Sequence, residues 1–197
     1  METRVRKILE TKTNFSERFI PDHGELDGAV NALKARGLKI VLTQGVYDLI
    51  HEGHALYLEA AKSYGDVLIV GADSDALTKA RKGPNRPIVP QDERVKMLIH
   101  LRPVDIVTIR EAHQDMGELI RLVKPHVLVT SSSTEDFKKD LGSGKYEKYC
   151  GKIVILPPQA TTSTTARIRL LTIDGAEKLA TEVQRLTQDF LGKIRKG

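Results

Sequence analysis

Residues 38–62 read Leu38-Lys-Ile-Val-Leu-Thr-Gln-Gly-Val-Tyr-Asp-Leu-Ile-His-Glu-Gly-His-Ala-Leu-Tyr-Leu-Glu-Ala-Ala-Lys62. The apolar run at 38–42 predicts a buried strand. The run at 55–62 consists of good helix formers. Between them His51-Glu-Gly-His54 places two histidines where a first strand turns into a first helix. Three residues is close to one helical turn, so both imidazoles can point the same way. Gly53 removes the side chain that would block a close ligand. Backbone N–H groups at a helix start already attract anions, so two added imidazole donors make a phosphate-binding site. Two solvated loop histidines remain the plain alternative, since this spacing also occurs by chance.

Working outward, strand-like apolar runs recur at 67–70, 105–109, 126–129 and 153–156. Helical patterns lie between them at 53–63, 91–101 and 114–123, and residues 25–36 form a further helix ended by Gly37. Nearly continuous apolar strands alternating with helices predict an α/β fold: a Rossmann-like, doubly wound parallel sheet of about five strands with helices on both faces. Ligands bind such sheets beyond the carboxyl ends of the strands, which puts His51, Asp73 and Ser163 at one edge. Residues 1–24 mix charges with lone apolar residues and read as an arm, 25–172 as the domain, and 173–197 as a C-terminal amphipathic helix. In that helix Leu179, Val183, Leu186, Phe190 and Ile194 form one stripe, which either docks on its own domain or seals a homodimer.

The chain of 197 residues is 40% hydrophobic and 29% charged, ordinary for a soluble protein. No apolar run approaches the roughly 20 residues of a membrane span, and the basic N-terminus lacks the apolar core of a secretory signal. No membrane partner is expected. Cys150 is the sole cysteine, which excludes an internal disulfide framework and suits a reducing cytoplasm. The net charge of +5 could suggest nucleic acid, but the basic residues are scattered and only 5% of the chain is aromatic. Phosphate-bearing small substrates explain the excess more simply, so no nucleic-acid partner is expected.

Thr43-x-Gly-x-Tyr-Asp-Leu-x-His-x-Gly-His54 resembles the first motif of the cytidylyltransferase-like nucleotidyltransferases. Ser163-Thr-Thr-Ala-Arg-Ile-Arg169 resembles their second, a Ser-Thr-Thr run opening a helix. A third element from Ser74 through Lys79, Lys82, Arg86 and Pro90 to Arg94 lies between them, with spacing most similar to the adenylyltransferase half of the bifunctional ADP-heptose synthase. The resemblance covers roughly residues 35–172. It implies transfer of a nucleoside monophosphate, AMP from ATP, to a phosphorylated sugar or polyol with release of pyrophosphate.

The resemblance also implies roles. His51, His54, Lys79 and Arg94 are the expected catalytic set. Thr43, Gln44, Gly45, Val46, Tyr47, Asp48, Gly53, Asp73, Lys82, Ser163, Thr164 and Thr165 are the expected nucleotide contacts. Arg86 and the Ser131-Ser132-Ser133 loop face the acceptor. Each has a plainer alternative. Lys79 and Lys82 could line a solvated helix face, Arg94 could pair with a carboxylate, Ser163 could simply cap a helix, and Asp48 could order its loop rather than do chemistry. Relatives are often homodimers, which is the expected assembly. Mg²⁺ is expected to arrive on the triphosphate, because two histidines with Asp48 and Glu52 lack a third placed zinc ligand. Gly142-Ser-Gly-Lys145 lacks the full phosphate-loop spacing, and Cys150 has no evident activating base.

One departure bears on the substrate. Relatives typically carry Gly-Asp after strand four, whereas this chain has Thr130-Ser-Ser-Ser-Thr134 with Ser133 at the aspartate position. Base choice and acceptor identity therefore stay open. The alternatives are a CTP-dependent cytidylyltransferase acting on glycerol phosphate or a similar alcohol phosphate, an FMN adenylyltransferase, and a catalytically idle nucleotide sensor.

Overall fold

The computed structural model describes residues 15–115, 117–132, 144–160 and 164–194. Within them, five parallel strands lie in the order β3-β2-β1-β4-β5: β1 (Ile40–Gly45), β2 (Val67–Asp73), β3 (Ile106–Arg110), β4 (Val127–Ser131) and β5 (Lys152–Leu156). Strand order reverses between β1 and β4, the switch at which such sheets open a crevice. Strands β1, β2 and β3 are in register from Ile40↔Val67 to Gly45↔Ala72 and from Ile69↔Ile106 to Asp73↔Arg110.

Both faces are covered, which explains why the strand sequences are apolar throughout rather than alternating. Ile40, Leu42, Ile69, Ile106 and Leu128 form one core with Leu26 and Leu33 of α2 (His23–Ala35) and with Ile120 and Val123 of α6 (Glu118–Val123). Val41, Leu68, Val70, Val107 and Val129 form the other core with Leu58 and Ala61 of α3 (Glu52–Lys62) and with Leu98 and Ile99 of α5 (Gln91–His100). The parallel sheet and flanking helices match the sequence prediction.

Three local features differ. The last residues of the segment read as an arm, Pro21-Asp-His-Gly24, instead lead into α2: Asp22 accepts the Glu25 N–H at 2.8 Å as its N-cap. A short helix, α4 (Asp75–Lys82), follows β2 and is capped by Ser74; it buries only Thr78, so no apolar periodicity announces it. Helix α6 begins at Glu118 rather than 114, because the Asp115 carboxylate holds the preceding turn through the Gly117 N–H and Arg121.

Part of the segment read as an arm belongs to the fold. After the single turn α1 (Phe15–Arg18), Phe19 bridges Val107 in parallel and Ile20 donates its N–H to the Val107 carbonyl at 2.9 Å. Ile20 is fully buried. At the other end, residues after Thr161 make a compact unit of their own. It holds one continuous helix, α7 (Thr164–Ile194), in which the Ser-Thr-Thr helix and the tail helix are one element of 31 residues. No helix of the described residues is long and apolar enough to cross a membrane.

Because Ile20 is buried as completely as the central strands, Ile20→Ala should cost about 2–4 kcal/mol, as a buried Ile truncation does. Urea unfolding measures this; a change near zero would return residues 15–20 to the status of an arm.

Candidate functional site

The site is built on the loop that follows β1. Two of its residues, Tyr47 and Leu49, adopt the left-handed conformation at φ 54° and 46°, which L side chains rarely occupy. Surrounding contacts hold them there. Asp48 is buried and accepts the backbone N–H groups of Ile88 at 3.0 Å and Val89 at 2.9 Å, and it pairs with Arg86 at 2.9 Å. Arg94 is wholly buried; its Nε donates to the Val89 carbonyl at 2.9 Å, its Nη1 to the Val46 carbonyl, and its Nη2 to Asp75 at 2.7 Å. The loops at 46–50 and 86–90 are thereby tied from both sides.

That frame presents the histidines. His51 is the N-cap of α3 and His54 its third residue, and their rings stack with centroids 4.0 Å apart. The backbone N–H of His51 donates to His54 Nδ1 at 3.4 Å. Nδ1 is therefore the unprotonated nitrogen, and Nε2 carries the hydrogen of the neutral ring. Burial, with His51 and Lys82 adding positive charge nearby, lowers the His54 pKa to about 4. Gly53 has a specific reason to be glycine: a Cβ there would lie 3.0 Å from His51 Cε1. Gly45 likewise leaves room for the Tyr47 ring, 3.2 Å from where its Cβ would be.

The other predicted residues divide. Lys82 lies on α4 with much of its side chain exposed but its ammonium partly withdrawn from water, which, followed by Arg86, lowers its pKa. Lys79 is exposed one turn earlier. Ser131 and Ser132 end β4 next to β1, and the Ser132 N–H donates to the Leu156 carbonyl at 2.8 Å. Thr43 is fully buried and joins Tyr57 at 2.7 Å, whose hydroxyl donates to the Val129 carbonyl at 3.2 Å; burial pushes the Tyr57 pKa up to about 12. Thr43 thus ties β1 to α3 and β4. Of the alternatives set out for them, Asp48 orders its loop and Arg94 pairs with a carboxylate, and the Val46 carbonyl accepts from Arg94, so all three position the loop. Ser133 and Ser163 lie outside the described residues. Thr164 and Thr165 open α7 in the separate unit.

Two residues not singled out in the sequence, Arg81 and Arg110, meet at the end of β2. There Asp73, fully buried, accepts from Arg81 Nη1 at 2.7 Å and from Arg110 Nε at 3.0 Å. The one available signal was a charged residue closing an otherwise buried strand at 106–110. Among the described residues no group of three or more His, Cys, Asp or Glu is arranged to hold a metal.

A family described as cytidylyltransferase-like matches residues 42–169. The bifunctional protein HldE of a Nitratiruptor species is 41% identical over 170 residues, 86% of this chain and 35% of that protein. That of Desulfatibacillum aliphaticivorans is 40% identical over 147 residues, 74% of this chain and 29% of that protein. The chain thus spans about a third of the length of the curated relatives it matches. The lipopolysaccharide core biosynthesis protein from Thermoplasma volcanium GSS1 is similar with a TM-score of 0.53 at 25% identity, over 64% of this chain and 100% of that one. Pantoate-beta-alanine ligase from Francisella tularensis has a TM-score of 0.53 at 16% identity, over 73% and 67% of the two chains, and at that identity shows the fold alone.

The His54 environment sets a pH dependence. Its folded pKa of about 4 lies below the ordinary 6.5, so the unfolded chain takes the proton first as pH falls. Its contribution is complete above pH 6.5 and is lost as pH falls toward 4; discounted for partial exposure it is on the order of 2 kcal/mol. Urea unfolding across that window should show a shallower loss for His54→Gln than for the wild type. Parallel losses in the two proteins would mean that the ring is not held neutral.

Proposed function

The chain belongs to the cytidylyltransferase-like family, and we propose that it is a nucleotidyltransferase that moves AMP from ATP to a phosphorylated sugar or polyol and releases pyrophosphate. The observation that carries this reading is the stacked His51–His54 pair at the start of α3, with the Nε2 hydrogen of His54 left as its donor. An oxygen of the acceptor phosphate attacks the α-phosphorus, a new P–O bond forms, and the bond from that phosphorus to the bridging oxygen of the β-phosphate breaks. Pyrophosphate leaves with the electron pair. No enzyme nucleophile is needed; placement and neutralisation of oxyanion charge suffice.

In this reading His51 and His54 donate to oxygens around the α- and β-phosphates, and the arriving anion raises the His54 pKa toward the protonated form. Lys79 and Lys82 add positive charge from α4, and the resemblance assigns the β- and γ-phosphates to Ser163, Thr164 and Thr165. Gly45 lets the strand-end backbone approach. Arg94 and Asp48 keep the loop in its strained shape. Mg²⁺ comes with the triphosphate: both buried carboxylates at the strand ends, Asp48 and Asp73, are already answered by arginines.

ATP is the proposed donor because the 74–94 element is most similar to an adenylyltransferase, and a solved relative named for lipopolysaccharide core biosynthesis fits a sugar acceptor. The proposed setting is the cytoplasm and the proposed assembly is a homodimer, to which the Leu179, Val183 and Leu186 stripe of α7 can contribute.

Pyrophosphate release from each of the four NTPs, against phosphorylated sugars, polyols and FMN, tests the reaction. ATP should be the most active donor; preference for CTP would move the protein to the alcohol-phosphate branch. His51→Ala or His54→Ala should lower kcat by about 10²-fold, the usual effect of removing one positioned donor. Near-normal turnover by either folded variant would remove the carrying observation. Light scattering tests the assembly, and a 21.9 kDa species would exclude the dimer.

A further inference from the structure

His54 is the third residue of α3, and nothing in its own covalent structure fixes where its ring points. The outer torsion of a histidine side chain has a broad, two-fold profile. Among the described residues the ring accepts one hydrogen bond, from the His51 N–H to Nδ1, and at 3.4 Å that bond is long and weak. The direction of the ring is therefore set by what packs against it. Two rings do so: His51, stacked with centroids 4.0 Å apart, and Tyr47, tilted by 59° with centroids 5.6 Å apart.

These neighbours differ in kind. His51 caps α3 and carries ring nitrogens of its own, which an arriving anion can engage. Tyr47 is 5% exposed and belongs to the core that contains Leu58, Val70 and Ala72. Leu58 stands one turn beyond His54 on the same side of α3, so the Tyr47 ring carries that core up to the histidine. The Tyr47 hydroxyl is buried as well, and burial raises its pKa well above the ordinary value, so the ring stays uncharged. Although Tyr47 was expected among the nucleotide contacts, its side chain has almost no surface to offer a nucleotide.

Tyr47 is also difficult to move. Its ring lies back over the end of β1, where a Cβ at Gly45 would come within 3.2 Å of Cε2 and 3.4 Å of Cζ. Its backbone is left-handed at φ 54°, a conformation that an L residue holds only when its surroundings impose it. Here the residues on either side impose it: the Val46 carbonyl accepts from Arg94, and Asp48 accepts from the Val89 N–H at 2.9 Å.

We propose that Tyr47 is a positioning residue, whose ring, fixed in the core and over Gly45, holds the His54 imidazole in the orientation that turns its Nε2 hydrogen to the phosphates. The role deepens the nucleotidyltransferase reading and rests on it. The ring acts in two ways. It removes a rotation of the donor that would otherwise have to be frozen during reaction, which is what placement contributes to rate. It also fills space that water would take beside His54. That burial, with the charges of His51 and Lys82 and against that of Asp48, favours the neutral imidazole.

Two measurements on Tyr47→Leu, Tyr47→Met and Tyr47→Phe test the role: NMR titration of the His54 ring, and pyrophosphate release from ATP with the most active phosphorylated sugar or polyol. Wild-type His54 should titrate at about 4. In Tyr47→Leu and Tyr47→Met the midpoint should rise toward the ordinary value of about 6.5, as the imidazole gains water. In both variants kcat should fall by about tenfold while KM for ATP stays within about twofold, the split of an interaction realised in the transition state. Tyr47→Phe keeps the ring and should restore both the midpoint and most of the turnover. Thermal unfolding shows which variants are folded, and methionine, which fills irregular gaps, provides a second variant should leucine fail to fold. A tyrosine with a merely structural role would lower Tm and leave the His54 midpoint in place. An unmoved midpoint or an unchanged kcat in the folded Leu or Met variant would overturn the proposal, as would a Tyr47→Phe protein as impaired as they are. A wild-type protein that turns over no NTP would overturn the nucleotidyltransferase reading instead, and the midpoints would still decide whether Tyr47 governs His54.

Discussion

Arg94 sits out of solvent with its donors on the Val46 carbonyl, the Val89 carbonyl and the Asp75 carboxylate. These three acceptors belong to the loop after β1, the segment before α5 and the first turn of α4. A buried guanidinium cannot shed its proton and is costly to leave unpaired, so its geometry fixes all three segments together. Asp48 reinforces the tie from the opposite side with two backbone N–H groups and Arg86. The left-handed conformations of Tyr47 and Leu49 persist because of this lock, and the position of the histidine pair follows from them.

Held in this way, the histidine pair combines two properties. It stands at a helix start, where N–H groups attract anions, yet in the resting protein His54 is too buried and too near other cations to hold a proton. Burial and the neighbouring positive charge thus favour the neutral form of the His54 ring. The Lys82 pKa is also lowered, first by burial and then by Arg86. Positive charge is concentrated around α4 and the strand ends, with Asp48 and Asp73 keeping its repulsion in bounds.

The sheet was legible in the sequence because burial on both faces makes each central strand a continuous apolar run, and the histidine motif marks the first turn directly. Helix α4 was legible only as the solvated face that Lys79 and Lys82 could line: it buries one threonine, so it has no apolar stripe to detect. Arg94 stayed open between a phosphate and a carboxylate because a Glu-Arg pair in sequence cannot say what a guanidinium meets; the fold supplies Asp75 and brings Val46, 48 positions away, to its Nη1. Asp73 was placed at the correct edge, but its partners come from α4 and β3, and pairing across 37 residues leaves no local trace. The burial of Ile20 was hidden for the same reason, since the short apolar pair Phe19-Ile20 finds its partner only in Val107, far along the chain.

The bridge between Phe19 and Val107 has a consequence for how the molecule behaves among its own kind. A parallel sheet has two rims of unsatisfied backbone, and each can recruit a foreign strand. At β3 the Ile20 N–H occupies the Val107 carbonyl, and Arg18 of the α1 turn donates to the Val104 carbonyl just before the strand. Shortening the chain to the first long helix, at His23, would remove the guard of that rim rather than an idle leader. The truncated protein would retain its histidines and its sheet and lose colloidal behaviour, collecting through β3 into assemblies that have nothing to do with its chemistry.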